Sequence, residues 1–152
     1  MAVFKFKLGT MLRIKERLEK SAKHELGIAS MHLEAEKRAF EAISTHIGAL
    51  RDDFTASVSG SINPVHIKNL KSFIELRKQD RRRQDEVVKE ATLTVDKIRD
   101  RVVVLMQERK MLDKLREKNL EIFRQEGIKE EQHLVDELVT NRGRTGKNTG
   151  ED

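Results

Sequence analysis

The run from Ser57 to Pro64, Ser-Val-Ser-Gly-Ser-Ile-Asn-Pro, constrains this chain more than any other stretch: it holds the only proline and divides two long, charged segments with heptad-like spacing. Asn63 followed by Pro64 is a helix start, because the asparagine side chain accepts from an orphaned backbone N–H and proline's fixed φ suits the first helical position. Gly60, between two serines, is expected to supply the freedom to reverse direction. With helix on both sides, the turn makes an antiparallel pair.

Composition decides what kind of pair. Charged residues make up 38% of the 152 and hydrophobic ones 37%, with no Trp or Tyr, which is too little apolar volume for a multilayer core but enough for a helical seam. The expected fold is all-α, an antiparallel two-helix coiled-coil hairpin with the longer C-terminal helix overhanging the first. The absence of cysteine excludes disulfide and thiolate chemistry. No run approaches the roughly 18 apolar residues of a membrane span, and the opening residues lack the apolar block of a secretory signal. A soluble cytoplasmic chain without direct membrane insertion is therefore expected. The formal charge of +5 arises from 31 basic and 26 acidic residues. They interleave along the same helices, the pattern of a solvated, salt-bridged face and not of the basic stripe that nucleic acid requires.

Taken in order, Phe4, Phe6 and Leu8 alternate with Lys5 and Lys7. With no partner strand in sight, they are expected to form an extended lead-in packed on the helices. Helix one, about 8–57, carries Met11, Ile14, Leu18, Ala22, Leu26, Ala29 and Leu33, then Phe40, Ile43, Ile47, Leu50 and Phe54. The second group is a strict 3-4 seam. Consecutive steps of four between Ile14 and Leu26 predict a local relaxation of the left-handed supercoil. Gly27 and Gly48 each cost roughly 1 kcal/mol against alanine and are expected where the partner helix comes close.

After the turn at 57–63, helix two is expected over about 64–141, with a seam at Val88, Ala91, Val95, Ile98, Val102, Leu105 and Leu112. Residues 1–141 then form the coiled coil. Residues 142–152 contain three glycines and no apolar side chain, and are expected to be a disordered tail. Pairing about residue 60 brings Leu8 near Asp113. At ~1.5 Å per residue, roughly 28 residues of helix two then lie beyond the first. An isolated helix of that length is marginal, so another protein is expected to cover it.

Apparent catalytic and metal motifs fail on spacing. His24-Glu25 opens like a helical zinc-protease motif, but Ile28 stands where the second histidine is needed. Gly143-Arg144-Thr145-Gly146-Lys147-Asn148 has two residues between its glycines where a phosphate loop has four, and Asn148 replaces the magnesium-binding hydroxyl. A two-helix hairpin also offers no water-excluding cleft in which carboxylate pKa values would shift. Neither an enzyme nor a cofactor is expected.

The run Glu75 to Glu86 carries more information, because apart from Leu76 it is wholly polar and yet faces the best seam of helix one. Either its long basic stems cover that seam, or Phe40, Ile43, Ile47 and Leu50, with Phe73, leave a partly uncovered apolar patch near the turn that binds a partner.

Three stretches resemble a known family: Phe4-Lys-Phe-Lys-Leu-Gly-Thr-Met-Leu-Arg-Ile-Lys-Glu-Arg-Leu-Glu19, Glu108-Arg-Lys-Met-Leu-Asp-Lys-Leu-Arg-Glu-Lys118 and Glu131-Gln-His-Leu-Val-Asp-Glu137. Together, with the turn between them, they resemble the flagellar FliJ family, small coiled-coil proteins of the bacterial type III flagellar export apparatus. The resemblance implies a stalk-like hairpin, similar to the central stalk of rotary ATP synthase. It would bind the hexameric export ATPase FliI, link it to the export gate protein FlhA at the inner membrane, and escort export chaperones. It further implies a gate-contacting surface near the turn, at Ile43, Ile47, Leu50, Phe54 and Phe73. The ring-facing end would carry Arg13, Lys15, Arg109, Lys110, Lys114 and Lys118. The chain is then expected to be a monomer when free. The alternatives are a generic structural coiled coil that homodimerises through the overhang, and a basic helical module for nucleic acid.

Overall fold

The computed structural model describes residues 2–145, the last of them by its backbone only. Helix α1 spans Gly9–Val58 and helix α2 spans Pro64–Thr145; the described residues contain no strand. At the start of α2 the Asn63 Oδ1 accepts from the backbone N–H of Val65 at 3.1 Å and of His66 at 3.3 Å, which satisfies two of the orphaned donors there. Around the end of α1 the hydroxyls of Thr55, Ser57 and Ser59 donate to the carbonyls four residues earlier at 2.8–3.0 Å. Such bonds compete with continuation of the ladder. No described glycine has a positive φ, so the reversal does not depend on a left-handed Gly60.

The chain forms two compact units. The turn unit, residues 18–105, is the antiparallel part of α1 and α2 joined by residues 59–63. Its buried apolar side chains are Ala22, Leu33, Ile47 and Leu50 on α1 and Ile74, Ala91, Val95 and Val102 on α2. Leu33, Ala91 and Val95 form one cluster, with Leu26, Ala29 and Val88 against it. On α2 the expected line from Val88 to Leu105 is wholly buried or half-buried.

The α1 line differs from expectation near its start. The positions turned inward are Glu19, Ala22, Leu26, Ala29, Leu33, Glu36, Phe40, Ile43, Ile47, Leu50 and Phe54, an unbroken 3-4 alternation. Leu18 is 46% exposed, while Glu19 is only 4% exposed and bonded to Lys23 Nζ at 2.9 Å. Ile14 and Leu18 therefore belong to a neighbouring stripe, while Ala22 and Leu26 lie on the inward line, and nothing in that line calls for a relaxed supercoil there. Gly27 and Gly48 are exposed, and a Cβ added at either meets nothing within 4 Å; close approach of a partner helix is not their role.

The terminal unit, residues 2–17 with 106–145, is organised around Leu12, 5% exposed. Met11 and Ile14 face solvent. Phe4, Phe6 and Leu8 are half-buried on an irregular lead-in, where the Gly9 N–H donates to the Phe6 carbonyl at 3.0 Å. The Phe4 and Phe123 rings lie 5.6 Å apart at 55°, a tilted aromatic pair that holds the lead-in on α2. The helix runs on through Gly127, and residues 128–144 are all exposed. It continues through residues 142–145, which the sequence assigns to the tail; the rest of that stretch lies outside the described residues.

Candidate partner-binding surfaces

Near the turn the five apolar residues expected to meet a gate protein are not equally available. Ile47 is 1% exposed and Leu50 7%, both in the interior of the turn unit with Ile74. Ile43 and Phe54 are half-buried. Phe73 alone is open, at 41%, with its ring edge-on to His46 at 5.7 Å. Ile47 and Leu50 are therefore corrected from surface to core: a hairpin of two helices has one seam, and these are its best-buried members near the turn. Arg77, Lys78 and Arg81 are half-buried and lie along the same region.

The exposed apolar side chains at this end are instead Val65, Phe73 and Leu76 on α2, together with Val58 and Ile62 beside the turn. At 100° per residue Val65, Phe73 and Leu76 fall within about 80° of one another around the helix. Val65 and Leu76 were missed because attention to the heptad seam passes over residues beside it.

Farther from the turn the seam becomes polar. Gln84 Nε2 donates to the Glu36 backbone carbonyl at 3.0 Å and to Glu36 Oε2 at 2.5 Å, joining α2 to α1. His32 Nδ1 lies 3.9 Å from the same carboxylate. Arg77 pairs with Asp80 at 2.8 Å, and its Nε is buried without an acceptor. Polar seam positions of this kind penalise other registers, since any slip leaves the groups unpaired. Nearer the start of α1, Glu25 would face residue 96 by the turn arithmetic but pairs with Arg101.

In the terminal unit the six basic residues expected to face a ring divide into two groups. Lys15 bonds Glu108 at 2.5 Å and Arg109 bonds Asp113 at 2.7 Å, all four being at least partly covered. Arg13, Lys110, Lys114 and Lys118 are exposed. Arg13 and Arg116 also line a groove of about 300 Å³ with Phe4, Phe6, Leu12 and Glu16. Lys89, on the turn unit, has its pKa raised by hydrogen bonds to Asp85 and then Glu86; it is exposed and serves a helix-surface ion pair. No group of three or more His, Asp or Glu able to hold a metal occurs among the described residues. None of their helices is long and apolar enough to cross a membrane.

These features define a class, the all-α antiparallel helical hairpin. Within that class the family described as flagellar FliJ protein matches residues 4–148, and the chain belongs to it. Membership makes it a component of the flagellar export apparatus. Neither a curated protein nor a solved structure matches the chain.

Proposed function

We propose that this hairpin couples the export ATPase to the export gate, as a stalk-like element held by two different partners at two different units. The observation that carries the proposal is the family match over nearly the whole chain, on a fold whose exposed features are separated into an apolar face near the turn and a basic surface near the N-terminus. The hexameric ATPase FliI is assigned to the terminal unit, through Arg13, Lys110, Lys114 and Lys118. Lys15 and Arg109 support that surface from their ion pairs with Glu108 and Asp113. Exposed charge pairs contribute about 0.2–1 kcal/mol each, so several must act together and the contact is fast and sensitive to salt.

The gate protein FlhA is assigned to the face around Phe73, with Val65 and Leu76 beside it and Ile43 and Phe54 at its edge. Ile47 and Leu50 hold that face in place from below. Export chaperones complete the set of partners, and the chain works at the inner-membrane export apparatus as a peripheral, non-spanning component. Free in dilute solution it is a monomer.

The test is FliI ATPase activity with and without the chain, alongside direct binding. Stimulation that is lost on Lys110→Glu with Lys114→Glu, and kept on Phe73→Ser, is expected, with the reverse pattern for FlhA binding. Absence of both stimulation and binding at every ratio removes the proposal.

A further inference from the structure

Past Phe123 the apolar pattern of α2 changes phase. The seam positions continue as Glu126, Glu130, His133 and Glu137, none of them apolar. The apolar side chains move to another face, about 150° around the helix at 100° per residue. Ile128, Glu131, Val135, Leu138 and Arg142 alternate by three and four along it, the spacing of a coiled-coil seam, with the exposed Leu134 and Val139 flanking it on either side. Ile128 is 55% exposed, Val135 57% and Leu138 66%. Because the line is out of phase with the α1-facing seam, lengthening α1 would not cover it.

Charge says what does. Residues 129–137 carry Glu130, Glu131, Asp136 and Glu137 against Lys129 alone, whereas the last turn carries Arg142 and Arg144. The segment is acidic at one end and basic at the other, so it complements itself only when reversed. In a parallel pair Glu131 would stack on Glu131 and Arg142 on Arg142, placing like charges inside the seam. In an antiparallel pair the layers of a two-stranded coil match Val135 with the second copy's Leu138, and Glu131 with the second copy's Arg142, each twice by symmetry.

We propose that this line is a self-association surface, on which a second copy of the chain pairs antiparallel about a two-fold axis between Val135 and Leu138. The contact is short, so it forms with rising concentration and leaves the dilute chain monomeric. It is independent of the roles assigned to FliI and FlhA, and its test involves neither.

Sedimentation of the full chain from about 1 to about 300 µM is expected to show a reversible monomer–dimer equilibrium. Val135→Ser with Leu138→Ser is expected to stay monomeric throughout at unchanged helicity. Glu131→Arg and Arg142→Glu should each weaken association about tenfold, by placing like charges in two layers. Mixing these two variants should restore it as a heterodimer. In a chain without cysteine, Val135→Cys mixed with Leu138→Cys should form disulfides between unlike copies. A monomer at every concentration, which leaves the face to some other protein, overturns the proposal. So does association indifferent to the serine pair, failure of the mixed charge variants to recover, or disulfides only between like copies.

Discussion

Replacing Gln84 by leucine removes a side chain that hydrogen-bonds α2 to the α1 backbone inside the seam, and its cost is set by what Glu36 is left facing. Two bonds are lost, one to a neutral carbonyl and one to a carboxylate. Their net contributions are about 1 and about 1.5–3 kcal/mol in a buried setting. The Glu36 side chain keeps 25% of its surface exposed, so water recovers part of that, and leucine adds roughly 1 kcal/mol of apolar burial. The balance is a destabilisation of about 1–2 kcal/mol, which in a chain of this size lowers Tm by about 2–8 °C. Glu36→Leu alone is expected to cost about 1 kcal/mol by removing one of the two acceptors of the Gln84 amide, the backbone carbonyl remaining. The double variant places leucine on both sides of the layer and should be as stable as the parent or more so, as found when buried polar pairs give way to packed apolar ones. The coupling across the cycle is then about 2 kcal/mol. Urea denaturation followed by far-UV circular dichroism at neutral pH, on all four proteins, measures it. A coupling indistinguishable from zero, or Gln84→Leu more stable than the parent, would refute the account of this layer.

Gly27→Ala and Gly48→Ala should each stabilise the chain by about 0.5–1 kcal/mol, since the added methyl meets nothing and helix propensity favours alanine; either one lowering Tm would show a close approach after all. Ile47→Ala should cost about 2–4 kcal/mol as a core truncation, whereas Phe73→Ser should cost under about 1 kcal/mol, and denaturation midpoints separate the two. Asn63→Ala should remove about 1 kcal/mol by uncapping α2, read as the same shift in midpoint. Stimulation of FliI should fall as salt rises from about 50 to about 300 mM, and a response flat in salt would count against the basic surface.

Most of the fold was legible because its signals are local. The single proline, the Asn63 cap and the line from Val88 to Leu105 each specify backbone or phase without reference to a distant residue. The start of α1 was not legible, and the reason is geometric. Met11, Ile14 and Leu18 lie one position before Leu12, Lys15 and Glu19, about 100° apart on the same helix. A hydrophobicity pattern favours the first line, but the second is turned inward. A single helix with two adjacent stripes does not say which one its partner will choose. What would have revealed it is the longer-range phase: extending the 3-4 alternation backwards from Phe54 through Phe40 arrives at Glu36, Glu19, Lys15 and Leu12. The same step explains the error near the turn, where Ile47 and Leu50 are apolar because they are core. The face that remains, Phe73 and Leu76, looks from sequence like isolated residues in a charged run.

The distribution of apolar side chains points outward from the hairpin. A pair of helices buries one stripe on each, and here that stripe contains nine buried apolar residues, two of them alanine, among those described. Charged or amide side chains fill further inward positions at Lys15, Glu19, Glu36, Arg77, Arg81 and Gln84. More large apolar residues are exposed than buried. Scattered singly, as Val3 and Leu93 are, they require no explanation. Held in helical phase, as Val65, Phe73 and Leu76 are at one end of α2 and Ile128, Val135 and Leu138 at the other, they have a cost in solubility that packing within the chain does not offset. A seam interrupted by polar layers specifies register at the expense of stability. Apolar faces outside it can then be strengthened or removed by substitution without altering how the two helices find each other, which is why Phe73→Ser and Val135→Ser are clean tests of partners while Ile47→Ser would not be.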